Sequence, residues 1–428
     1  MTGLPARAHE PTSSVSLRDA LAYGALRAPL ALLELPLFVL LPAFYAQRTS
    51  IGLAAIGSVL FLARFIDALA DPAIGAALDR QSTPGAARRW ILFALPVLAA
   101  GFAALFLPPD GVNPTLWLAV ASILTCLAWS VVVIAHQTWG ARLGHTPADR
   151  IRVTSVREGL GLAGVLLAAS LLVPERAAWL VGLFALLAAL CAAALLKAPL
   201  PPPRGAGSRV GEGAGWRVVL GHAPFRRLLA AFLFNGIASA VPATLLLFFV
   251  TDTLAAPDQA PTFLVVYFLA AACGMPIWAR LAPRIGLRRA WLAGMGLSVL
   301  AFVWAFGLGP GDTTAFMVIC AATGFALGAD LAVPPALLAT VLAEPDAPPG
   351  RDGAFFGVWS LATKLNLATA AGLALPLLDV LGHEAGTPSW ALSFTYALVP
   401  CALKLCAGAI LICFSPPSPS SIPRTERP

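Results

Sequence analysis

Apolar runs of twenty or more residues follow one another along this chain, parted by short breaks rich in proline, glycine and charge. A helix needs about 20 apolar residues to cross a bilayer core about 30 Å thick. The pattern predicts twelve spanning helices, near residues 20–46, 51–79, 89–108, 115–141, 152–174, 177–197, 225–254, 260–282, 288–309, 313–342, 353–382 and 390–414. The expected fold is all-α and integral to the membrane, with the longer helices tilted or protruding. The longest internal break, 198–224, holds a proline run, glycines and basic residues and cannot form a core. It divides the chain into an N-terminal six-helix bundle, 20–197, and a C-terminal one, 225–414, flanked by polar tails at 1–19 and 415–428. The bundles carry a weak repeat. Arg80 and Arg284 follow the second and eighth helices 204 residues apart, and Arg150 and Arg351 follow the fourth and tenth 201 apart. A duplicated unit of this kind is the basis of alternating access by rocking.

Composition agrees with the pattern. The mean hydropathy is +0.82 and only 11% of residues are charged, too few to clothe a water-soluble fold of 428 residues. The net charge of +7 is topological: with both termini in the cytoplasm, 22 of the 28 Lys and Arg residues lie at the inner side. Only Arg48 and Arg176 fall in outer loops, and Arg27, Arg64, Lys364 and Lys404 fall inside helices. A nucleic-acid partner is not expected. The first 19 residues lack the apolar core of a cleaved signal peptide. Seven cysteines, all within apolar runs, read as buried hydrophobes, and the five histidines lack zinc-ligand spacing. No resident cofactor is expected, and neither is an enzyme: the chain has no Gly-x-Ser-x-Gly elbow and no phosphate loop.

The polar positions inside the helices carry the chemistry. Residues 63–80 read ARFIDALADPAIGAALDR, and Arg64, Asp67 and Asp71 fall on one helical face. Pro72 cannot donate to the carbonyl of Ala68, which leaves two carboxylates beside a freed backbone oxygen, a cradle for Na⁺ or H⁺. Measured from the inner helix ends at about 1.5 Å per residue, Asp71 lies about 12 Å deep, Asp67 about 18 Å and Lys364 about 16 Å. Lys364 therefore stands level with both acids but in the other bundle, where an ion pair forms and breaks as the halves rock. Expected on the substrate cavity are Arg27 and Glu34 in a first helix bent by Pro29 and Pro36, Arg64, His136 and Trp139, Arg157, Asp330 in a glycine- and proline-interrupted tenth helix, and Trp359. Asp79 and Arg80, with Arg88 and Arg89, and Arg284 in the second half, are expected to gate the inner side by ion pairs.

These residues resemble the major facilitator superfamily and, within it, the glycoside–pentoside–hexuronide cation symporters of the melibiose permease type. The resemblance rests on DALADP at 67–72, GAALDR at 75–80 followed by RRW at 88–90, TPADRIRVTSVR at 146–157 and GVWSLATKLNLA at 357–368. It implies two pseudo-symmetric bundles in the major facilitator fold, Asp67 and Asp71 as cation ligands, Lys364 beside them, Arg157 at the substrate cavity and Ser130 as the helix-4 hydroxyl of the cation site. It also implies a monomeric carbohydrate symporter of a bacterial inner membrane, driven by Na⁺ or H⁺. The acids that hold a glycoside in the family's sugar carriers are missing: the first helix reads ALRAPLALLE and the fourth WSVVVIAHQ. A small organic solute, sugar or related, is expected; a proton-coupled exporter or a non-transporting receptor are the alternatives.

Overall fold

The computed structural model describes residues 15–81, 83, 85–144, 146–170, 177–201, 215–382 and 389–413. Most of both tails, the interior of the linker and the loop residues Arg176 and Glu384 lie outside them. The described chain is helical throughout. α1 spans residues 17–48; it is followed by α2 (Leu53–Asp79), α3 (Ala86–Phe106), α4 (Pro114–Leu143), α5 (Pro147–Ser170) and α6 (Ala177–Lys197). The second bundle holds α7 (Ala223–Thr253), α8 (Pro257–Ile285), α9 (Leu287–Gly307), α10 (Thr313–Leu342), α11 (Asp352–Val380) and α12 (Trp390–Ile412). Among the described residues, nine helices are long and apolar enough to cross a membrane by length and composition. α1, α2 and α5 complete the twelve, and these three carry most of the buried charge of the first bundle.

Local chemistry explains the departures from the expected boundaries. α5 starts at Pro147 because Thr146 and Asp149 cap each other: the Asp149 amide donates to the Thr146 hydroxyl, 3.1 Å, and the Thr146 amide to the Asp149 carboxylate, 3.3 Å. α1 is interrupted where proline was expected to bend it, with a break after Gly24 and a π turn at Pro36–Leu40. Pro29 has no N–H for the Ala25 carbonyl, which accepts instead from the Ala28 amide, 3.1 Å, and from the Cys191 thiol, 3.3 Å. α10, by contrast, runs unbroken through Pro334 and Pro335. Proline holds φ near its helical value, so a pair enclosed by buried Val333 and Ala336 removes two donors without ending the helix. Residues 215–221 of the linker form a short helix whose Gly215 packs on Ala76 of α2 and Ala354 of α11.

Among the described residues the core falls into three clusters. One lies wholly in the first bundle around Phe44, Phe102, Phe106 and Phe184. The second joins Trp278, Trp291 and Phe355 of the second bundle to Ile134, Ile151 and Leu162 of the first. The third, around Phe249, Phe316 and Tyr396, belongs to the second bundle alone. Large apolar side chains such as Phe93 (81% exposed) and Val380 (82%) cover the outside, a surface suited to lipid.

The halves close against each other at the end that carries the linker. Gly75 of α2 meets Gly353 of α11 so closely that a Cβ on either would collide with the other's carbonyl oxygen. The Asp79 carboxylate accepts the Gly353 and Ala354 amides, each at 2.7 Å, and so caps α11 from the opposite bundle. Arg142 of α4 lies 3.5 Å from Asp352, and the Thr154 hydroxyl of α5 donates to the Ala332 carbonyl of α10, 2.9 Å.

Candidate functional site

Asp67 and Asp71 stand one turn apart on α2 and both reach Lys364 of α11, as their matched depths required. The Lys364 ammonium donates to Asp67 Oδ2 at 2.6 Å, lies 2.8 Å from each oxygen of Asp71 and donates to Ser130 Oγ at 2.7 Å. The Ser130 hydroxyl of α4 donates to Asp67 Oδ1, 2.6 Å. Asp71 and Ser130 are fully buried, and Asp67 is 4% exposed. The ring of Trp129 lies 5.8 Å from the ammonium. All three ammonium protons are used, so the pair meets the condition under which a buried ion pair is tolerated. Two carboxylates against one ammonium leave one negative charge, the complement of one monovalent cation or one proton.

A second charged group lies in the first bundle. Arg27 donates to Glu34 at 2.8 Å and to Glu158 at 3.4 Å, and Arg157 grips the same Glu158 at 2.6 Å. Expectation placed Arg27, Glu34 and Arg157 on the cavity; Glu158 is the residue that joins them. Arg27 and Glu34 stay about a quarter exposed, whereas Arg157 is buried. Arg64 donates to the Leu37 carbonyl in the π turn of α1, 3.2 Å. His136 and Trp139 point into the packing of the first bundle. His136 Nε2 lies 2.9 Å from the Tyr23 carbonyl, and Trp139 donates to the Pro199 carbonyl, 3.1 Å. Trp359 stacks on Phe232 with ring centroids 3.9 Å apart.

Asp330 is not near these groups. It accepts from Trp291 of α9 and from Lys404 of α12, both at 2.8 Å, and Lys404 also donates to Asn235 of α7. The depth of Asp330 was legible in the sequence; the partner Lys404 was counted only as a basic residue within a helix. Of the expected gating residues, Asp79 crosses between the halves. Arg88 donates to the Leu196 carbonyl and Arg89 to Thr83, both within the first bundle. Arg80 is exposed and makes no hydrogen bond among the described residues. Arg284 lines a cavity of about 680 Å³ between α5 and α8 with Arg152 and Arg280.

The sequence matches the family described as MFS/sugar transport protein over residues 22–416. The chain belongs to that family and is a multi-pass membrane transporter, not an enzyme. Among curated proteins it is similar to the mouse sodium-dependent lysophosphatidylcholine symporter 1, 23% identical over 86% of this chain and 79% of that protein. The mouse sphingosine-1-phosphate transporter MFSD2B is 23% identical over 87% and 82%. The Escherichia coli inner membrane symporter YicJ is 29% identical over 37% and 35%. In fold, a bacterial homologue of the iron transporter ferroportin in an outward-facing state superposes with a TM-score of 0.71 at 17% identity, covering 93% of this chain and 99% of that one. The E. coli fucose:proton symporter FucP gives 0.70 at 13% identity, covering 94% and 98%.

Proposed function

We propose that this chain is a cation-coupled symporter of a bacterial inner membrane, with linker and termini cytoplasmic, working by alternating access on an amphiphilic solute. The charge of the α2–α11 site carries the reading. Its net negative charge, carried by buried Asp67 and Asp71 beside a Lys364 side chain that is 20% exposed, is neutralised by one Na⁺ or H⁺ among Asp67, Asp71 and Ser130. That cation competes with Lys364 for the same oxygens and releases the ammonium that ties α11 to the opposite bundle. Cation binding therefore loosens the link between halves. Substrate and cation must then tighten each other's binding by equal factors.

Three features support an amphiphile. The acids that hold a glycoside in the sugar carriers are absent. The Arg27–Glu34–Arg157–Glu158 group offers both charge signs to a polar head, and its exposed part needs a wet cavity at that depth. Two of the relatives are named for lipids. With the linker end inside, contact at Gly75–Gly353 and Asp79 makes the described state closed to the cytoplasm.

Proteoliposomes test both halves of the reading. Under an inward Na⁺ or H⁺ gradient they should accumulate labelled lysolipid, and Asp71→Asn should abolish accumulation while the protein stays folded. Accumulation of a glycoside instead returns the solute to a sugar. Uphill uptake undiminished in Asp71→Asn overturns the coupling role, and binding without any ion dependence identifies a receptor.

A further inference from the structure

Inside the second bundle, apart from the α2–α11 site, lies a cavity of about 150 Å³. Its walls come from α7, α8, α9, α10 and α12, with Pro242, Phe263, Phe302 and Leu327 among the apolar ones. Lys404 and Asp330 line it as well, and so do Tyr267 and Tyr396. Lys404 is 6% exposed and gives two protons, to Asn235 and Asp330, each at 2.8 Å. Its third proton has no acceptor among the described residues, and neither phenol hydroxyl has a hydrogen-bond partner there. Lys404 and Tyr396 are buried and Tyr267 is half-buried, and buried donors are ordinarily satisfied. Three unused donors around an apolar space of this size call for a guest. A dry engineered cavity of about 150 Å³ takes up benzene, so the volume suits a ring or a short alkyl chain.

We propose that this cavity binds a small amphiphile: an alkyl or aryl body carrying an uncharged hydroxyl or carbonyl oxygen that accepts from Lys404 and the two tyrosines. The paired floor fixes the choice of head. Asp330 already neutralises Lys404, so a carboxylate or an ammonium head brings a net charge into an apolar chamber at a cost that an alcohol or ester avoids. Leu264, 38% exposed and also lining the cavity, marks a path from outside. The site is independent of the coupling reading, because it shares no residue with Asp67, Asp71, Ser130 or Lys364.

The test is photolabelling of the full-length protein in lipid nanodiscs with a diazirine-bearing octanol, followed by peptide mapping. Adducts are expected on the segments around Tyr267 and Tyr396. Excess octanol should cut them at least tenfold, and sodium octanoate or octylammonium should cut them far less. Ala243→Phe, which fills the cavity, should remove these adducts while labelling of lipid-facing Leu247 and Leu405 persists. Ser239→Leu serves the same purpose if Ala243→Phe fails to fold. Adducts confined to lipid-facing positions overturn the site. Equal competition by all three heads overturns the stated chemistry, as does unchanged labelling in a folded filled variant.

Discussion

At the scale of single residues, the two ion-paired lysines within the helices ask opposite questions of the same physics. Lys364 faces two carboxylates and Lys404 one. Lys404→Met strands the Asp330 charge in the second bundle and should cost roughly 3–5 kcal/mol, read from thermal unfolding of the purified protein. The double variant Lys404→Met, Asp330→Leu should recover most of that loss, because a buried pair replaced by apolar groups is often neutral. Lys364→Gln should act differently. It should leave a site that holds its cation more tightly, since the competitor is gone, and a protein that binds Na⁺ or H⁺ but exchanges solute slowly; counterflow and equilibrium binding on one preparation separate the two. The depth of each charge was legible from its place along a helix. Which neighbour each one meets was not, because that depends on helix rotation: His136, Trp139 and Trp359 sit at suitable depths yet face packed interiors.

At the scale of elements, the α2–α11 contact concentrates the conformational question in a few atoms. Gly75 and Gly353 permit an approach no other residue allows, and Asp79 meets the positive end of α11 at the same level. Gly75→Leu should push the helices apart and populate the open linker end. The measurement is alkylation of a cysteine at Ala76 by an impermeant maleimide from the linker side, in a background without the native cysteines; a severalfold rise is expected. Asp79→Asn should act in the same direction more weakly, since the amide side chain keeps one acceptor. The sequence placed Asp79 at a helix end and grouped it with Arg80, Arg88 and Arg89 of its own half; the structure adds the Gly353 and Ala354 amides of α11 as its partners. A backbone N-terminus arriving from a segment 274 residues away leaves no local signature in spacing or composition.

At the scale of the whole molecule, hydrophobic periodicity foretold the helices almost in full, because each span must satisfy its backbone internally and bury no polar run. The bend of α1 at its prolines was foreseen; the misjudged stretches were α10, which runs unbroken through Pro334 and Pro335, and the linker segment that folds on reaching the seam. Duplication of the bundle did not duplicate the chemistry: the first half holds Asp67, Asp71 and the Arg27 group, and the second holds the Asp330–Lys404 cavity. Raising Na⁺ should therefore raise the unfolding temperature of the wild type and leave Asp67→Asn unmoved, if sodium is the coupling ion.

The short linker helix at 215–221 sits with its glycine wedged between Ala76 and Ala354. Any motion that parts those two alanines costs the helix its contact with at least one of them, so the connector between the bundles favours the state in which they meet. An antibody fragment that grips this helix in place should arrest turnover without touching a single charged residue.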